Sequence, residues 1–198
     1  MLFTDYFLNM NKVIKNSIAI ALLVLASLSI YFGAILPFKK AQSYIYFIKT
    51  TSDTAQTLDE LKIRLDKVVE FYSPIGREEV VRYLSNDFLN IMLYANNPEV
   101  VDRTMVQYIE PHMLKYDVRH LIAMGELYKG LWVKYKKTDD LVKSEDYYEK
   151  ALSLAPKLPP VLYNAFDLYQ EAGNKERARE IGEMILKYWP EDKKVRQL

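Results

Sequence analysis

Two histidines, His112 and His120, and two adjacent acidic pairs, Glu78-Glu79 and Asp139-Asp140, are the residues through which this chain would do metal or acid-base chemistry. A metal-binding helix sets two histidines four apart on one face, with acidic help at a fixed spacing. Here the histidines are eight apart without that pattern, which makes them surface or partly packed side chains. Paired catalytic carboxylates must converge, whereas neighbours on a helix point in different directions. Glu78-Glu79 instead suit the positive end of a helix that starts just after Gly76. The chain has no cysteine, which removes disulfides, thiolate nucleophiles and cysteine metal sites. It has no glycine-rich phosphate loop and no Gly-x-Ser-x-Gly elbow. Its tyrosines lie mostly on apolar stripes, where tyrosine fills a core and keeps a wet tip. The residues therefore predict a non-enzyme with no catalytic residue, no cofactor and no metal.

The charges narrow the class of partner. The formal net charge is +1, with acids and bases interleaved, so there is no basic stripe for a nucleic-acid backbone. Residues 16–38 (Asn16 to Phe38) form an uncharged run between Lys15 and Lys39-Lys40. At 1.5 Å per residue the run is about 34 Å long, enough for a hydrocarbon core of about 30 Å. Tyr31, Phe32 and Phe38 sit near one end, where aromatic rings suit the interface. A cleaved signal peptide is the rival reading, but the apolar core is long and no clear Ala-x-Ala site precedes Lys39. Ser29 and Gly33 make a small-xxx-small spacing of the kind that lets helices pair. Lys12 and Lys15 nearly balance Lys39, Lys40 and Lys49, so charge does not orient the span.

Helical spacing dominates from Leu58 onward. Leu61, Leu65, Val68, Val69 and Tyr72 form one stripe over Leu58–Tyr72, and no alternating strand pattern competes. Val80, Tyr83, Leu84, Phe88 and Met92, then Val101, Met105, Tyr108 and Ile109, mark two more helices broken at Asn96-Asn97-Pro98. Around Tyr148, Ala151, Leu152 and Pro156 a stronger order begins, and Pro190 falls one 34-residue period after Pro156. Between the prolines run Leu162, Ala165, Phe166, Tyr169, Gly173, Ala178 and Ile185. Two antiparallel helices approach closely only where a small residue faces a bulky one, and Ala165 and Ala178 supply the small side. Gly173 fits the turn and Pro190 the stop. One unit upstream, Leu121, Met124, Gly125 and Tyr128 precede Tyr148, Ala151 and Pro156. Gly125 to Ala151 spans 26 positions against 19 for Phe166 to Ile185, so about seven residues are added near Trp132–Asp146.

This order resembles the tetratricopeptide repeat. The reading is all-α, an N-terminal transmembrane helix followed by a tetratricopeptide-like helical-hairpin solenoid. Its divisions are a 1–15 tail, the 16–38 span, a 39–57 juxtamembrane connector and degenerate helical repeats over 58–117. Two repeat units occupy 118–190, the first with an insertion, and then a 191–198 tail. That tail is too short for a full capping helix, which leaves the last apolar face exposed or covered by a partner. In such a solenoid the first helix of each unit lines the concave face, where Arg119, Ile122, Glu126, Lys129, Tyr163, Asp167 and Gln170 would meet a protein or peptide. The same charges would also serve as a solvated face. These positions lack the lysine and asparagine cluster with which some tetratricopeptide proteins grip a C-terminal carboxylate.

Tyr31-Phe32 to Lys40, ahead of the Leu58–Tyr72 helix, and then Tyr72-Ser73-Pro74-Ile75-Gly76-Arg77-Glu78-Glu79-Val80 resemble the tail of O-antigen ligase-like proteins. In some bacterial members of that family a last membrane helix leads through a similar turn into tetratricopeptide repeats. The family's other membrane helices and its large loop are not in this sequence, so catalysis is not carried over. The resemblance implies repeats on the extracytoplasmic side. Two functions stay open: a single-pass membrane scaffold that binds a protein partner, and an accessory or detached part of a ligase or polymerase system for surface polysaccharide, beside a multispan catalytic subunit.

Overall fold

The computed structural model describes residues 11–51 and 57–196, and every regular element among them is helical. The expected N-terminal tail and the last two residues of the C-terminal one fall largely outside the described residues. The chain divides into two compact units, Met1–Arg77 and Glu78–Leu198.

The first unit opens with α1 (Lys12–Ile30), capped by the Asn11 side chain, which accepts from the Val13 N–H. One π turn (Tyr31–Ile35) joins α1 directly to α2 (Leu36–Thr51). The apolar stretch has a mean hydropathy of 2.5 over its best window and none of that window is buried, so this helix is long and apolar enough to cross a membrane. Ser17 and Ser27 turn their hydroxyls onto the carbonyls of Val13 and Leu23, which suits an apolar surround. Of the expected 39–57 connector, residues 39–51 are helical as the continuation of α2, on which α3 (Leu58–Val69) packs, and residues 52–56 lie outside the described residues. Thr57 caps α3 by accepting from the Glu60 N–H. Leu61, Leu65, Val68 and Val69 are buried together with Phe47 of α2. Tyr72, expected on the same stripe, is exposed because α3 ends three residues before it. The expected 58–117 grouping is also divided, since α3 belongs to the first unit.

The second unit runs from α4 (Arg77–Tyr94), which comes directly after Gly76 at φ 89° and carries Glu78 and Glu79 in its first turn. Val80, Val81, Leu84, Phe88 and Met92 are buried, whereas Tyr83 points outward beneath the Arg82 guanidinium. Pro98 caps α5 (Glu99–Ile109), and a 3₁₀ turn (Glu110–His112) comes next. Two close-packed hairpins complete the unit: α6 (Val118–Tyr135) with α7 (Thr138–Leu154), and α8 (Pro159–Glu171) with α9 (Lys175–Tyr188).

Each hairpin closes by a different terminal device. α6 ends on Lys136 at φ 56°, whose N–H reaches the Trp132 carbonyl. α8 ends in a Schellman arrangement, with Gly173 N–H to Gln170 O and Asn174 N–H to Tyr169 O, and Gly173 holds φ 76°. The first hairpin exceeds the second by seven residues, because α6 and α7 are 18 and 17 residues long against 13 and 14 for α8 and α9, and its loop is one residue shorter.

The small-against-large contact appears in both hairpins with its direction reversed. In the first, Gly125 of α6 takes the ring of Tyr148 of α7, and a Cβ at 125 would lie 2.8 Å from that ring. In the second, the equivalent positions hold Phe166 on α8 and Gly182 on α9, where a Cβ would lie 3.3 Å from the ring. Ser144 is fully buried and spends its hydroxyl on the Gly125 carbonyl at 2.8 Å. First helices lie side by side through Glu126–Asn164 (3.0 Å) and Lys129–Glu171 (2.7 Å). Bidentate arginines tie α7 to its neighbours on either side, Arg103 of α5 to Asp140 and Arg177 of α9 to Glu149. The last apolar face is not bare: residues 192–196 fold back and bury Val195 against Gly182 and the hairpin core.

Candidate binding site

The face expected on α6 and α8 is largely consumed by the fold. Glu126 accepts from Asn164, and burial pushes its carboxyl above the ordinary range. Lys129 pairs with Glu171, and Asp167 with Lys194 of the tail at 2.7 Å. Tyr163 donates to Asp192, a bond that raises its phenol to about 12. Ile122 is packed against the hairpin core, and Arg119 is tied to Asp117, the cap of its own helix. Gln170 lies on an open groove at the end of the last hairpin, beside Arg179, Glu183 and Arg196. Glu126, Lys129, Tyr163 and Asp167 thus hold helices and tail together instead of facing one common cleft.

An open cleft of about 790 Å³ lies instead between the 110–117 segment and α7. Leu121 and Met124 of α6 line it, with Met113 and Leu114 of the loop and Leu154 of α7, while Lys115, Lys143 and Lys150 supply positive charge. His120 positions the loop: it is buried, contrary to its reading as a surface or partly packed residue, because its Nδ1 accepts from the Leu114 N–H at 2.8 Å. Tyr116 stands nearly clear of the protein at the mouth.

Glu110 organises the polar end. Its carboxylate accepts from Tyr128 (2.7 Å) and Tyr147 (2.6 Å), whose rings stack 5.8 Å apart. Lys143 donates to the Tyr128 hydroxyl at 2.8 Å, and Lys150 pairs with Asp146. Burial first, then Glu110, pushes both phenols upward, so they stay protonated donors and make poor nucleophiles. Among the described residues no group of three histidine, aspartate or glutamate side chains is placed to hold a metal. The arrangement can bind an apolar side chain beside a negative group. No local pattern marks Glu110, because its tyrosine partners lie 18 and 37 residues away.

No protein-family model, curated protein or solved structure matches the chain.

Proposed function

We propose that this chain is a non-catalytic, single-pass membrane scaffold built on tetratricopeptide-type hairpins, which holds a segment of a protein partner in the cleft between residues 110–117 and α7. The open apolar cleft with its lysine rim carries the reading. The repeat assignment draws support from the order Leu121, Met124, Gly125, Tyr128, Ser144, Tyr148, Pro156 and from the paired glycine-aromatic contacts. A photo-crosslinking amino acid at Tyr116 in the full chain in membranes is expected to give one discrete protein adduct, lost on Lys143→Glu. The same probe at the exposed Tyr94, away from the cleft, is the comparison. Equal adducts at both positions, or none at Tyr116, would overturn the reading.

The accessory-subunit reading for surface polysaccharide assembly keeps one observation in its favour. The turn that carries the ligase-like resemblance is built around Gly76 at positive φ and is held to the anchor helix through Lys40 and the Phe71 carbonyl. It requires the repeats outside the cytoplasm. Protease digestion of residues 78–198 in intact cells supports it, and digestion only in inverted vesicles rules it out.

A further inference from the structure

We propose that the turn from Phe71 to Gly76 is a second membrane contact, with Tyr72 and Ile75 seated at the interface of the same bilayer that α1 crosses. The proposal rests on the reading of α1 as a membrane span. Lys40 lies two residues past Phe38, the end of the uncharged run, or about 3 Å along the helix axis. Helical side chains lean toward the helix N-terminus, which here is the membrane side. The Lys40 ammonium is buried and donates to the carbonyls of Val68 (3.3 Å), Val69 (3.1 Å) and Phe71 (2.8 Å). The C-terminal end of α3 therefore lies at the level where the apolar run ends.

The rest of α3 points away from that level. Arg64, earlier in α3, donates to the Thr50 carbonyl at 3.3 Å, and Thr50 is ten residues, about 15 Å, further along α2 than Lys40. The pair is antiparallel, and the chain that leaves the span returns to its border. At the point of return Tyr72 is 68% and Ile75 60% exposed, and the Ser73 hydroxyl braces the turn by donating to the Ile75 carbonyl at 2.6 Å. Scattered exposed apolar residues are ordinary. These two belong to a turn that meets Lys40 at its Phe71 carbonyl, two residues past the 63% exposed Phe38, and a tyrosine at that level presents an apolar ring and a polar tip to the two sides of the interface.

The absence of cysteine allows a clean test with the full chain. Tyr72→Cys, Ile75→Cys, Ile63→Cys and Val24→Cys each carry one NBD label and are reconstituted into phosphatidylcholine–phosphatidylglycerol vesicles with iodide on both sides. Ile63 is 55% exposed and sits six residues, about 9 Å, before the end of α3. Labels at 72 and 75 are expected to be quenched by a nitroxide placed high on the lipid chain and to be severalfold less sensitive to iodide than the label at 63. The label at 24 should respond to a deep nitroxide. Iodide sensitivity at 72 and 75 equal to that at 63, with 24 deep, overturns the turn contact and leaves the span standing; iodide sensitivity at 24 overturns both.

Discussion

Replacing Lys134 by methionine is expected to destabilise the second unit by about 3 kcal/mol, the low end for breaking a buried ion pair. Asp102 is fully buried and accepts from Lys134 Nζ at 2.7 Å, from the Tyr135 hydroxyl at 2.6 Å and from Asn97 at 3.2 Å. Lys134 also donates to the carbonyls of Met92 and Ala95 at the end of α4. Methionine keeps most of the apolar stem, so the loss comes from stranding the Asp102 carboxylate with two neutral donors. Those two remaining bonds, and the partial exposure of the Lys134 side chain, hold the cost to the lower bound. The assay is urea unfolding of the full chain in detergent, monitored by far-ultraviolet circular dichroism. Asp102→Asn should destabilise the parent protein yet recover part of the loss on the Lys134→Met background, because it removes the stranded charge. A loss below about 1 kcal/mol, the range of exposed pairs, or strictly additive losses in the double variant, would refute the reasoning.

The same unfolding assay separates the two glycines. Gly125→Ala sets a Cβ within 3.0 Å of three ring atoms of the buried Tyr148, and overpacking of about 1–3 kcal/mol should outweigh the helix gain of about 1 kcal/mol. Gly182→Ala meets Phe166 at 3.3 Å and Val195 of the tail at 3.0 Å, and the tail can yield, so its loss should be smaller; equal losses would contradict that difference. The Arg119 guanidinium beside Asp117 holds its carboxyl down to about 2. A depressed carboxyl stabilises the fold above its unfolded value of 3.8 and loses that contribution as the pH falls toward 2. Asp117→Asn keeps a capping oxygen and should flatten stability over that window, with salt weakening the parent's dependence; an unchanged pH profile would show that the pair contributes nothing.

Much of the helical plan was legible because its signals are local. The stripes at Leu61–Val69 and Val80–Met92, the break at Asn96-Asn97-Pro98 and the turn at Gly173 each depend on residues within a few positions of one another. The candidate site was not legible for the opposite reason. Glu126, Lys129, Tyr163 and Asp167 are polar at the right helical spacing, yet their partners are Asn164, Glu171, Asp192 and Lys194, on another helix or in the tail. Lys40 shows the same limit: by position it flanks an apolar run, and only the return of α3 turns it into a cap for three carbonyls.

Periodicity and composition by themselves determined that the chain is helical, that its N-terminal run is long enough to cross a bilayer, and that small residues must face large ones between helices, since each depends only on spacing along a single segment. Tertiary structure decided which partner takes the small side. Gly125 yields to Tyr148, whereas Phe166 fills the space left by Gly182, because a helix interface needs only the summed volume of the facing pair and either helix can supply it. It also decided where a cleft stays open. α7 and the 110–117 segment leave a cleft that no other described residue fills, while the first helices and the tail spend their polar groups on each other.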